Sequence, residues 1–366
     1  MKISFSATNP CHMYATACAL AGCGVDVDYY SGYPRWKLRQ HGDASMTIRT
    51  HSLRTLFVYG LLRIPERYRP RSRSLFLWQD EAFDRWAGDH LAPCDFIHGM
   101  PGQCLQTFRS ARRLGIATVL NHATGPVREW VRIMEPEYAR VGLRLQEVVP
   151  YDDAYFAQEQ EAYAASDFHC TASSVVRDQL VATGIDPAKI CVISYGSDAK
   201  IFHRNGAERP SEFRIVFAGQ VCLRKGLASL LQALEIADRP DWRIDFYGGT
   251  PHEAQFDLQG YKGRTPLTMH GPISQAQLAD AFRRSSVAVL PSLEEGFGLV
   301  VPQALNCGLP VIVSDRVGGK DLIRHRENGS IVPVGDPAAL AAELHFWEKR
   351  STILNETWGW EEPARR

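Results

Sequence analysis

Short apolar runs alternate along the chain with longer stretches in which apolar residues recur at helical spacing. That rhythm predicts parallel strands covered by helices, an α/β fold. In the first half, residues 1–6, 95–99, 116–122, 167–170 and 190–194 read as strands ending in polar or glycine-rich loops. Residues 106–114 carry Phe108 and Ala111 on one helical face, with Arg109, Arg112 and Arg113 outside. Ser173 or Ser174 can cap the helix that follows the fourth of these strands. Residues 203–212 are polar, hold a glycine and a proline and lose the periodicity, as a linker does. The alternation then restarts with strand 213–218, loop 219–226 and helix 227–237, and with strands at 242–247, 287–290 and 310–314. Two Rossmann-like, doubly wound domains are expected at residues 1–204 and 213–345, joined by a linker at 205–212 and followed by a tail at 346–366. Domains of this kind bind ligands beyond the C-terminal ends of their strands, here in a cleft where the two face each other.

A length of 366 residues exceeds one ordinary core, which agrees with that division. With 45% hydrophobic and 22% charged residues, the composition is that of a soluble globular chain. The charges balance at 41 of each sign, which argues against a nucleic-acid binder acting through its whole surface. The nine cysteines are odd in number and sit mostly in apolar stretches, the usage of a reduced, cytoplasmic protein. Cys11, Cys18 and Cys23 lack the CxxC pairing of a metal site and read as small buried hydrophobes. The N-terminus has no signal-peptide architecture, and no apolar run reaches the ~20 residues needed to cross a bilayer.

The informative stretch is LPSLEEGFGLVVPQALNCGLPVIVS, residues 290–314. A strand ends at Leu290, a loop holds Glu294, Glu295, Gly296, Phe297 and Gly298, and a short helix runs from about Leu299 to Asn306. Pro302 is tolerated in the first turn, where its missing N–H has no partner to lose, and Gly308 ends the helix. Unpaired amides and the positive end of the helix dipole therefore meet whatever lies beside Gly298 and Leu299, an arrangement that suits phosphate.

This segment resembles the EGFG…EA…CG.PVI signature of the family 4 (group 1) retaining glycosyltransferases, whose hallmark is two glutamates separated by seven residues. The resemblance implies the GT-B fold, two Rossmann-like domains across a cleft, and a nucleotide-diphosphate sugar as donor. Glu295 takes the place of the first glutamate, beside the anomeric centre of the donor sugar, and Gln303 that of the second, on the ribose hydroxyls. An amide still donates to and accepts from hydroxyls, so the exchange at Gln303 is expected to weaken ribose binding by ~1 kcal/mol. Residues 217–226, FAGQVCLRKG, are similar to the family's diphosphate loop. Lys225 matches its lysine, Gly219 opens the loop, and Gln220 stands where arginine is usual, leaving Arg224 or another base to compensate. Cations there stabilise a departing diphosphate without a metal, so neither metal nor cofactor is expected. Tyr247-Gly248-Gly249 and Met269-His270-Gly271 resemble the glycine turn and the strand end against the nucleotide base, and residues 194–198, 317–321 and 327–329 resemble further family turns.

The family also places a histidine at a strand end of the first domain, facing the donor sugar. His122 in NHATG is the candidate, His98 in HGMPG the competitor, and capping or packing is the bland role for either. The loop at 7–12, ATNPCH, lacks the paired glycines that family members place near the phosphates. The resemblance implies front-face transfer to an acceptor hydroxyl, Glu295 and His122 holding the sugar. The competing readings are a GT-B sugar-nucleotide epimerase and a nucleotide-sugar-binding partner that has lost catalysis.

Residues 35–73 carry Arg35, Lys37, Arg39, Arg49, Arg54, Arg63, Arg67, Arg69, Arg71 and Arg73 against only Asp43 and Glu66, interleaved with aromatics. The pattern suits an anionic membrane surface or a lipid-linked or cell-envelope glycan acceptor, and no nucleic-acid recognition motif accompanies it. A tryptophan pair, Trp358 and Trp360, resembles the opening of a family helix that crosses back to the first domain, with little chain left to complete it.

Overall fold

The computed structural model describes residues 1–38, 46–61, 64, 72–148, 151, 153–205 and 211–357, leaving aside the side chains of 72–74, 147–148 and 352–357. Arg39, Arg63, Arg67, Arg69, Arg71, most of the linker and the tail from Trp358 onward lie outside these residues, as does the side chain of Arg73.

Two parallel sheets form. The first joins β1 (Lys2–Ala7), β2 (Asp26–Ser31), β3 (Thr47–Thr50), β4 (Phe96–Gly99), β5 (Ala117–His122), β6 (Phe168–Thr171) and β7 (Ile190–Val192) in the order β3-β2-β1-β4-β5-β6-β7. The second joins β8 (Arg214–Ala218), β9 (Arg243–Tyr247), β10 (Leu267–Gly271), β11 (Val287–Leu290), β12 (Val311–Ser314) and β13 (Gly329–Val332) in the order β10-β9-β8-β11-β12-β13. In each sheet the strand order reverses once, between β1 and β4 and between β8 and β11. At such a reversal the loops leaving the two central strands run to opposite faces and open a crevice.

The central strands are unbroken apolar runs because helices cover both faces of the sheet. Every residue of β11 and of β12 is buried. The edge strand β10 differs, with Thr268, Met269 and His270 exposed. In the second sheet's core, Phe217 and Phe246 pack ring to ring, and Trp242 and Trp347 are almost wholly buried. Around the first sheet, Phe5, Val27, Tyr29, Met13 and Tyr14 form the corresponding core.

Packing divides the chain differently from the linker pattern. One unit comprises Met1–Ala123, Val148–Thr171 and Leu180–Val192, and the other Thr124–Glu147, Ala172–Gln179 and Ile193–Arg366. The helix Val127–Arg140 thus groups with the second sheet, where Arg140 pairs with Asp257 at 2.8 Å. The boundary expected at 345 falls inside one continuous helix, Pro337–Thr357, whose Trp347 donates its indole N–H to Ser330 at 2.9 Å in the second core.

Candidate active site

The crevice between β8 and β11 assembles most of the residues singled out in the sequence. After β8, Gly219 (φ +121°) leads into a short turn, Leu223–Lys225, closed by Gly226. After β11, the loop from Pro291 reaches Glu294, Glu295 and Gly298 before the helix Val300–Asn306. The two loops are bound to each other. Leu293 donates its N–H to the carbonyl of Arg224 at 2.9 Å, and a Cβ on Gly226 would lie 2.0 Å from the carbonyl oxygen of Pro291. Glycine at 226 is therefore a steric requirement of the crevice, besides its φ of +73°.

The same approach collects charge. Arg224 Nη1 donates to the carbonyl of Glu294 at 2.9 Å and lies 3.4 Å from the Glu294 carboxylate and 3.1 Å from that of Glu295. Lys225 Nζ also bonds the Glu295 carboxylate. Burial disfavours the charged guanidinium, but the Glu295 and Glu294 carboxylates outweigh it and raise the Arg224 pKa. Burial pushes the Glu294 carboxyl up; Arg224 pulls it down and Glu295 pushes it further up. Two adjacent cations and two adjacent carboxylates thus share one partly dehydrated loop junction, where charges act far more strongly than in water.

The backbone around Glu295 is tied down. Gly318 donates to the Glu295 carbonyl at 2.9 Å, Ser173 to that of Gly296 at 2.6 Å, and Gly319 bonds the carbonyl of Phe297. Gly296 and Phe297 are buried; the Phe297 ring meets Tyr195 edge-on at 5.2 Å, so what this residue offers the loop is backbone. Leu299 is exposed. Gln220 is exposed on the loop after β8. Gly248, at the end of β9, abuts that loop: a Cβ there would lie 1.9 Å from the carbonyl of Gly219. His270 sits farther along the edge, its ring stacked on Tyr247 at 4.5 Å and its Nε2 2.6 Å from Asp245. Gln303 donates to Gln275 at 3.0 Å.

His122 belongs to the other unit, at the C-terminal end of β5. It is 1% exposed, with Nε2 3.0 Å from Nδ1 of His169, and its own Nδ1 finds no partner among the described residues. Burial, assisted by His169, lowers its pKa to about 3, so the ring is neutral. His98 is held by Asn121 at 2.9 Å and stacks on Phe5. Sequence reasoning passed over Glu294 and the tie from Ser173. The only sequence signal for the first was an acid beside Glu295.

Comparison with known structures assigns the fold. The chain superposes along 97% of its length on Anabaena HepE in complex with UDP-glucose (TM-score 0.63, 14% identity, 92% of that chain). It superposes along 96% on sucrose-phosphate synthase from Thermosynechococcus elongatus (TM-score 0.61, 18% identity, 90% of that chain). At these identities the likeness is one of fold, and the fold is GT-B. Residues 198–361 match the family model described as "Glycosyl transferases group 1". Among curated relatives, a D-inositol 3-phosphate glycosyltransferase of Catenulispora acidiphila is 30% identical over 230 residues, 55% of this chain and 54% of its own length. Another from Xylanimonas cellulosilytica is 30% identical over 220 residues, 54% and 52% respectively. The chain spans about half the length of these relatives.

Proposed function

We propose that the protein is a retaining glycosyltransferase that moves a sugar from a nucleotide-diphosphate donor to an acceptor hydroxyl, without a metal, in the cytoplasm. The observation that carries this reading is the convergence of Arg224 and Lys225 on Glu295 at the strand-order reversal of the second sheet. Two cations fixed at that place fit a pyrophosphate, and they gain most when it departs with an extra charge, which is how a site lowers a barrier. In the proposed step the C1–O bond to the diphosphate breaks while the acceptor oxygen forms its bond to C1 on the same face. The acceptor proton passes to a diphosphate oxygen. Glu295 is assigned to the anomeric carbon, and His122, neutral near pH 7, is the family-based candidate for a hydrogen bond to the sugar through its Nδ1, which has no partner among the described residues.

Gly248 and His270 are assigned to the nucleotide end of the donor, Gly296 to Leu299 to the phosphates through their backbone, and Gln303 to the ribose. The cationic, aromatic stretch of the first unit favours an acceptor that is lipid-linked or part of a cell-envelope glycan. None of the nine cysteines is joined in a disulfide, which supports a reducing compartment.

A melting screen of the full chain against UDP, GDP and their sugars tests the reading. One nucleotide should raise the melting temperature, and Lys225→Ala should abolish the shift. A chain that binds no nucleotide, or a Lys225→Ala variant that binds as the parent does, sinks it. Slow release of the donor sugar with its anomeric configuration kept, lost in Glu295→Ala, separates the enzyme from a binding partner without catalysis. Recovery of an epimerised sugar nucleotide would point to the epimerase.

A further inference from the structure

The helix Leu53–Leu61 in the first unit is inverted relative to an ordinary surface helix. It buries Thr55 and Val58 and exposes Leu53, Leu56 and Phe57, which share one face at i, i+3 and i+4. Leu53 is 80% exposed and Phe57 56%. A globular protein ordinarily turns such a stripe toward its core, so an exposed one marks a surface that meets something apolar.

The stripe extends on both sides. Trp78, on the neighbouring helix Ser72–Asp89, is exposed and meets Phe57 edge-on at 6.2 Å, while the Arg54 guanidinium lies over its ring at 4.3 Å. On the other side Tyr59 meets Tyr33 at 5.6 Å, and the Lys37 ammonium lies over Tyr33 and beside Trp36, itself 60% exposed. Exposed Arg35 adds a third cation. No acid lies between Ser31 and Gln79 among the described residues.

We infer that this face docks the protein on an anionic lipid bilayer. Tryptophan and phenylalanine enter the boundary between headgroups and acyl chains, while Arg35, Lys37 and Arg54 meet the lipid phosphates. The charge decides the occupant: a second protein's apolar patch would leave three cations and, among the described residues, no acid at its centre, whereas an acidic leaflet satisfies rings and cations together. No helix among the described residues is long and apolar enough to span a bilayer, so the attachment is peripheral. The inference is independent of the sugar-transfer reading, because it concerns other residues and is read without a donor.

Flotation of the full chain with vesicles of phosphatidylcholine alone, or of equal parts phosphatidylcholine and phosphatidylglycerol, tests it. Partition onto the anionic vesicles should exceed that onto the neutral ones by about a hundredfold, three bases at about fivefold each, and fall steeply with added salt. The Lys37→Gln/Arg54→Gln double variant should lose roughly twentyfold, since each base near an anionic leaflet is worth about fivefold. Trp36→Ser/Phe57→Ser should lose about tenfold through the apolar contribution. All four positions are at the surface, and an unchanged melting temperature and unchanged nucleotide binding confirm that the variants fold. Absence of association with anionic vesicles at low salt, or equal association of parent and variants, overturns the proposal. A chain that retards poly(U) and ignores vesicles overturns it in favour of a nucleic-acid surface.

Discussion

Replacing Arg224 by methionine removes the cation nearest to a carboxylate that has almost no water of its own. The Glu294 side chain is 4% exposed, and Arg224 Nη1 binds both its carboxylate, at 3.4 Å, and its carbonyl, at 2.9 Å. Breaking a buried ion pair from one side typically costs about 3–5 kcal/mol, because the remaining charge stays buried. Arg224 keeps 29% of its side-chain exposure and Lys225 remains close, so the lower end, about 3 kcal/mol, is expected. For a unit of this size that corresponds to a fall in melting temperature of roughly 6–12 °C. The loss should grow with pH. Glu294 already has a raised folded pKa; without the guanidinium it rises further, so its protonated form contributes stability at low pH that disappears as pH rises toward that value. Adding Glu294→Gln removes the orphaned charge and should recover roughly 1–3 kcal/mol, a coupling opposite in sign to the single loss. Melting curves of the parent, both single variants and the double variant at acidic and mildly alkaline pH decide the matter. If Arg224→Met melts with the parent at the higher pH, or the double variant is no better than Arg224→Met, the assignment of Glu294 as a carboxylate neutralised by Arg224 is refuted.

Gln303→Glu should tighten donor binding about fivefold, the equivalent of ~1 kcal/mol, if residue 303 addresses the ribose hydroxyls; calorimetric titration with the nucleotide reads this. Gly248→Ala should cost at least about 2 kcal/mol and weaken nucleotide binding, because its φ is +152° and the added methyl would meet the Gly219 carbonyl at 1.9 Å; chemical denaturation with a binding assay checks both. His122→Gln should flatten the acid dependence of stability. The folded His122 has its pKa lowered to about 3 by burial, so the stability it contributes is complete above the unfolded value near 6.5 and is lost as pH falls toward 3, by roughly 1.4 kcal/mol per pH unit. Melting curves between pH 7 and 4 that run parallel for parent and variant would contradict this.

Much of the fold was legible because its signals are local. The run at β11 is apolar throughout since both faces of that strand are covered, and the helix Leu227–Ala237 starts at the glycine that closes the preceding turn. The loop that holds Glu295 is bracketed by a strand end and by Pro302 in a first helical turn, both readable one residue at a time. β2 and β3 went unread, and so did the helix Val127–Arg140, which joins a sheet whose strands begin some seventy residues later. Nothing within that helix names its partners; Arg140 finds Asp257 only once the chain is folded.

The candidate site divides in the same way. Motif and spacing alone singled out Gly219, Lys225, Glu295 and Gly298 as candidates on one pair of loops, because glycine at a turn and a base after a strand are chemical requirements carried by single residues. Tertiary structure alone decided that Arg224 is shared between two carboxylates, that Glu294 is buried, that Phe297 turns inward against Tyr195, and that His122 is sealed against His169. Those outcomes depend on which loops the strand order brings together and on how much water is left between them, and neither quantity is written in any one segment of the chain.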